Sequence, residues 1–320
     1  MSGSLGFVDI FQEPALYSTR SIVTSASSGG CTVSSTLPAS NVFDKSIGKV
    51  CRVAIAAPTD DLRLDIRIVR RQIAGYPFGV GVLGLINVTF KDGSGDVIVD
   101  GSGAFTVEAT CNSGAFSDVS GGLGAGTQVQ SVASPRNIYF LLTDPAIYAS
   151  ERLIGGRGDS GARAFGSYLR ILFDDWSVAG TIDIGRIVLM PLFGFDVDAA
   201  AYARGSIDKT AVLESYDSTP YANRVKPYRT SSFAFNNLSG LDLVQQPTRH
   251  ATKANANFYA GLSESAILVP DYIDGQTIVN DDGPIFGMLT QPLVDVLLRP
   301  GSSETTRLYQ VSGAIREVLA

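Results

Sequence analysis

At 320 residues the chain is long enough for about two domains. Apolar residues make up 45% of it and charged residues only 18%, below the ~25% usual in soluble proteins, so part of the surface is expected to be covered by subunit contacts. A net charge of −6 argues against a nucleic-acid partner, whose phosphates require clustered Lys and Arg.

Residues 1–15 read as an N-terminal arm, with Phe7, Val8, Ile10 and Phe11 available to dock it. Neither a basic n-region nor an apolar h-region precedes Glu13, so no signal peptide is expected. The most apolar run, 79–89, is about half the ~20 residues a bilayer requires, and no membrane insertion is expected.

From residue 16 to about 195, period-two alternation and turn-rich separators mark strands at 21–26, 51–57, 62–69, 82–90, 96–100, 104–110, 138–143, 168–174 and 182–190. Abundant Gly, at 34 residues, suits short strands and turns better than long helices. Lys91-Asp92-Gly93-Ser94-Gly95 carries the Asp-Gly hairpin signal. Segments 112–130 and 144–166 are Gly-, Ser- and Ala-rich, and loops of that length are usually functional or ordered by a partner. Asp196 to Arg204 reads as a short helix or connector after a boundary near 195. The second, smaller domain, 196–320, then offers strands at 209–215, 224–235, 265–270, 285–289 and 306–318, with helical segments at 238–246 and 251–261. The fold class expected is mainly β: a β-sandwich followed by a smaller β-rich α+β domain.

No constellation of residues points to catalysis, and no cofactor or metal is expected. Gly79-Val80-Gly81-Val82-Leu83-Gly84 fits a phosphate-cradling expression, but Leu85–Phe90 continues as strand, with no helix N-terminus to hold a phosphate. Close strand approach explains those glycines better. His250, the only histidine, sits in a polar stretch that reads as solvated loop. The acid pairs Asp60-Asp61, Asp174-Asp175, Asp196/Asp198 and Asp281-Asp282 read mainly as turn acids, although paired carboxylates can hydrolyse a glycosidic bond. Cys31, Cys51 and Cys111 lack metal-ligand spacing and read as reduced thiols. Arg67, Arg70 and Arg71 divide between two strand faces and form no phosphate track, while Arg157-Gly158-Asp159 reads as a chance tripeptide in a loop. Trp176, flanked by Asp174 and Asp175, is the one candidate for stacking on a sugar, against the commoner role of a lone Trp as core or interface.

The strongest pattern lies at 168–191. Leu169, Ile171 and Phe173 alternate with Arg170 and Asp174; after a gap, Ile182, Ile184 and Ile187 are separated by Asp183 and Arg186. Each strand is expected to have one wet face, and the pair to form a hairpin closing the sandwich. Ile182-Asp183-Ile184-Gly185-Arg186, with the upstream opening motif Leu37-Pro38-Ala39-Ser40-Asn41-Val42-Phe43-Asp44, resembles the galactose-binding-like (discoidin-type) jelly roll of tailed-bacteriophage minor tail and distal tail (baseplate) proteins. Val225–Phe235, Ile285–Leu289 and Leu308–Ile315 resemble the following part of such chains. Val50-Cys51-Arg52-Val53-Ala54 departs from the family, which usually has a Trp at this step.

The resemblance implies a structural virion protein, not an enzyme, made in the host bacterial cytoplasm and built into the tail. It would form a symmetric homo-oligomeric ring against tube, hub and tape-measure proteins. Calcium is sometimes carried by this fold, but no ligands are assigned to it. The alternative is a carbohydrate-binding module recognising a host surface glycan, with Trp176, Asp174 and Asp175 as contacts.

Overall fold

The computed structural model describes residues 2–7, 17–25, 30–70, 81–98, 105–112, 128–132, 136–142, 166–194, 199–207, 211–214, 220–223, 228–239, 265–272, 284–303 and 306–318. The described residues are β almost throughout, in antiparallel sheets, with one short 3-10 helix, Ala39–Phe43. The chain divides into two compact units. An N-terminal unit holds Gly6–Phe193 with Ile273–Pro284 and Ala320; a C-terminal unit holds Gly194–Tyr272 and Ile285–Leu319 with Met1–Leu5. Strand β1 (Ser2–Phe7) begins the chain.

The N-terminal unit contains β2 (Tyr17–Ser25), β3 (Cys31–Val33), β4 (Cys51–Ile55), β5 (Leu62–Arg70), β6 (Gly81–Asp92), β7 (Phe105–Asn112), β8 (Gln128–Val132), β9 (Arg136–Leu142), β10 (Gly166–Asp174) and β11 (Gly180–Gly194). One sheet runs β2-β5-β10-β7-β8; in the other, β11 lies between β4 and β6, with β3 beyond β4 and β9 beyond β6. Strands β10 and β11 therefore do not form the hairpin expected of them. Each is a central strand of a different sheet, β10 between β5 and β7 and β11 between β4 and β6. The connection crosses from one sheet to the other, and Trp176 enters the space it spans.

That space is an aromatic core. The Trp176 ring lies 5.1 Å from Phe90 of one sheet and 5.2 Å from Phe105 of the other, and stacks on Phe173 at 6.2 Å. Strand β10 follows the expected alternation, with Ile171 and Phe173 buried and Arg170 and Asp174 half-buried. Strand β11 does not: Ile182 through Met190 are all buried, Asp183 and Arg186 included. Asp183 tolerates burial because Arg52 grips both its oxygens, at 2.6 and 2.7 Å, with Lys91 at 3.4 Å. Arg186 is buried as well, and its Nη1 donates to the Lys45 carbonyl at 3.4 Å.

This crossing ties the two family-like motifs together. Asn87, opposite Gly185, takes a left-handed φ of 57°, which Asn tolerates better than most residues. Its Nδ2 donates to the Ile47 carbonyl, while its backbone N–H donates to Asn137 Oδ1 at 2.9 Å. A Cβ on Gly185 would stand 2.6 Å from the same Ile47 oxygen, so only glycine lets segment 44–47 pass so close. Upstream, Val42 and Phe43 are buried and Asn41 Nδ2 donates to the Val50 carbonyl at 2.9 Å.

The turn after β6 also differs in detail from a two-residue Asp-Gly hairpin. Asp92 Oδ1 accepts from the N–H groups of Ser94 and Asp96, and it is Gly95, at φ +89°, that takes the left-handed position. Beyond it, Val97 makes only an isolated bridge to Lys91, where a strand over 96–100 was expected.

The C-terminal unit contains β12 (Ala199–Ile207), β13 (Ala211–Glu214), β14 (Pro220–Asn223), β15 (Tyr228–Ser239), β16 (Ser265–Tyr272), β17 (Ile285–Leu289), β18 (Val294–Arg299) and β19 (Leu308–Glu317). Its sheet runs β12-β15-β19-β17-β16, with β18 beside β19 in line after β17; β13 and β14 form a separate pair. Residues 199–204 are strand, not helix. Pairing of Ala199–Ile207 along β15 overrides the helical preference of its alanines. Leu238 and Ser239 likewise belong to β15, and the rest of the expected helix 238–246, with all of 251–261, lies outside the described residues.

Candidate interaction surface

The residues singled out for chemistry do not converge. Trp176 is 3% exposed and its Nε1 donates to the Asp60 carbonyl at 2.8 Å, so its ring offers no face for a sugar to stack on. Of the two readings weighed for it, sugar stacking and core, the burial fits the core; the turn carries it inward because both sheets contribute aromatic partners. Asp174 is half-buried and its Oδ1 accepts from the Asp175 N–H, while Asp175, exposed at φ 53°, accepts from Thr106 Oγ1 at 3.2 Å. Both acids serve the turn.

Asp60 and Asp61 are buried. Asp60 Oδ2 accepts from the Ala57 N–H at 2.8 Å, and Asp61 Oδ2 pairs with Arg63 at 3.1 Å. Gly81 and Gly84 lie within β6, where a Cβ on Gly84 would meet Val188 at 2.8 Å, so Gly84 brings strands together; Gly79 lies outside the described residues. His250, Asp196, Asp198, Asp281, Asp282, Arg71 and the Arg157-Gly158-Asp159 tripeptide lie outside the described residues. Among the described residues no group of three or more His, Cys, Asp or Glu is placed to hold a metal ion. Among them too, no helix is long and apolar enough to cross a membrane.

Cys31 and Cys51 are free thiols. Burial, with the Asp183 charge nearby, pushes Cys51 up to about 12, and burial with Asp60 and Asp61 pushes Cys31 up to about 11. Neither is a poised nucleophile, since the thiolate is the reactive form.

What stands out instead is β18, Val294-Asp295-Val296-Leu297-Leu298-Arg299, in which every residue is exposed. Val294, Val296, Leu297 and Leu298 are 46–48% exposed. Such a strand is held in place at both ends. Before it, Leu293 is buried against Phe233, packed so closely over Gly313 that a Cβ there would meet Leu293 at 2.6 Å and Phe233 at 2.8 Å. The Thr290 N–H donates to the Ala314 carbonyl at 2.9 Å. After it, Ser303 and Thr306 exchange hydrogen bonds, and Arg307 Nε reaches the Gly301 carbonyl at 3.3 Å. Between these anchors β18 pairs with β19 alone among the described strands, with a register shift between Leu297 and Arg299.

Exposed apolar side chains on both faces of a strand form a patch of the kind that marks contact sites. No expected strand included β18, although Pro292 and Pro300 bracket a run of Val and Leu, the pattern of an edge strand. At the far edge of the same sheet, β12 pairs only with β15 among the described strands and exposes Ala203, Gly205 and Ile207. No family model, no curated protein and no solved structure matches the chain.

Proposed function

We propose that this chain is a structural component of a bacteriophage virion, a minor tail or distal tail (baseplate) protein that assembles into a symmetric ring between tail tube and tail tip. The observation that carries the assembly reading is the exposed apolar strand β18, which pairs with β19 alone among the described strands. The tail assignment draws on the sequence resemblance. Strand order supports the fold that goes with it: β4-β11-β6-β9 and β5-β10-β7-β8, drawn from eight consecutive strands, follow the order expected for the two sheets of an eight-stranded jelly roll.

Both resembling motifs are accounted for by architecture, since Gly185, Arg186 and Asn87 seat the segment that follows the opening motif. The jelly roll is then a docking module, and the C-terminal sheet the assembly element. Rings are built by heterologous contacts, in which one patch meets a different patch on the next copy. The carbohydrate-binding alternative loses its stacking platform with the burial of Trp176. Negative-stain imaging of the concentrated full chain tests the proposal: closed rings of one size are expected, and a population of isolated, asymmetric particles would sink it.

A further inference from the structure

We infer that the ring contact is sheet continuation, in which β18 of one copy adds edge-to-edge to β12 of the next. The inference rests on the ring reading above and names the surfaces that make it. Direction is the first argument. In the order β12-β15-β19-β18 every neighbouring pair is antiparallel, so the two outer strands run in opposite directions. A second copy related by simple rotation about a ring axis therefore brings its β12 antiparallel to β18 without being turned over. Head-to-tail repetition extends one antiparallel sheet and pairs backbone groups of two strands that each have a single strand partner among the described residues.

Size gives the second argument, and it selects a register. Through the Cα pairings, Ala203, Gly205, Val294 and Val296 belong to the same face of the sheet. All four are exposed. Setting Val296 opposite Ala203 also sets Val294 opposite Gly205. The larger apolar residues of one edge then meet small residues of the other on the same face. The register shift in β18 after Leu297 limits full pairing to Val294–Leu297, a short edge that discriminates against unrelated strands.

The test is disulfide trapping in the full chain. Cross-strand neighbours fall within the Cα separation a disulfide spans, so Val296→Cys combined with Ala203→Cys should give, on mild oxidation, a ladder of covalent multimers ending at one closed size. The unmodified chain, which carries its own thiols, is oxidised in parallel as the baseline. Each single-cysteine variant should stay at that baseline. A covalent dimer from Val296→Cys alone would show β18 pairing with itself and overturn the inference. Charge exchange provides an independent reading. Val296→Lys should abolish the large species, and adding Ala203→Glu should restore it; loss without restoration, or no loss at all, counts against the β12–β18 contact. Rings without the ladder would leave the ring reading standing and remove this interface, whereas an unmodified chain that remains monomeric at every concentration, with no ladder from the paired variant, removes both.

Discussion

The indole nitrogen of Trp176 donates to the main-chain carbonyl of Asp60 across 2.8 Å, joining the turn between β10 and β11 to the turn that precedes β5. Both partners are buried, and the ring packs against Phe90, Phe105 and Phe173. Trp176→Ala is expected to cost about 3–5 kcal/mol through lost packing. Trp176→Phe retains most of the ring contact but removes the hydrogen bond to the Asp60 carbonyl, at about 0.5–1.5 kcal/mol. Denaturant unfolding followed by circular dichroism measures both, and a Phe variant as unstable as the Ala variant would show that the hydrogen bond is not the smaller part.

Glycine 185 is required by the chain passing over it. A Cβ at this position would stand 2.6 Å from the Ile47 carbonyl oxygen and 2.9 Å from Asn87 Cβ, so Gly185→Ala forces the crossing segment away. Overpacking of this kind costs about 1–3 kcal/mol. Gly93, by contrast, has nothing within 4 Å of a built Cβ, and Gly93→Ala should change stability by less than about 0.5 kcal/mol. Comparing the two variants' unfolding midpoints separates close approach from a general cost of alanine.

Arg170 and Asp65 face each other directly on β10 and β5, and the guanidinium grips both carboxylate oxygens at 2.6 and 2.9 Å. The pair is mostly buried, with side-chain exposures of 19% and 10%. Removing one partner of a fully buried pair costs ~3–5 kcal/mol, and the residual exposure of Arg170 lowers the expectation for Asp65→Ala to about 2 kcal/mol. Lys49→Ala removes the solvent-facing pair with Asp44 and leaves the Asp44–Ser46 turn hydrogen bond in place, so it should leave stability unchanged within error. Equal losses for the two would contradict the role given to burial.

Cys51 makes stability depend on alkaline pH. Its thiol is raised from 9.0 to about 12 in the folded chain, so below pH 9 it is protonated in both states and its contribution is complete. Above that pH the unfolded chain ionises first, and the contribution falls until the folded thiol also titrates. At about pH 10 the loss is about 1.4 kcal/mol. Unfolding free energies of the unmodified chain and Cys51→Ala, measured between pH 8 and 10, should diverge in this sense; parallel curves would refute it.

Much of this architecture is legible in local pattern, and what is not depends on distant partners. Ile171 and Phe173 alternate with Arg170 as a strand with one buried face requires. The same rule misreads β11, because Asp183 pairs with Arg52 and Arg186 donates to the Lys45 carbonyl, partners more than 130 residues away in sequence. The expected hairpin of β10 and β11 fails for a related reason: nothing local distinguishes a turn within a sheet from one between sheets, and the distinction lies in where Trp176 finds its ring partners. Alanines 199–201 spell helix until β15 supplies a pairing edge. Strand β18 escapes a period-two reading because its apolar residues run together on both faces.

The most direct test is the mass of the full chain by light scattering across a concentration series, with Val296→Lys run beside it. The account predicts that the unmodified chain converges on one fixed multiple of its 33.8 kDa mass and that the variant remains at the monomer mass with its fold intact. Two indistinguishable curves, whether both monomeric or both assembled, would contradict assembly through β18.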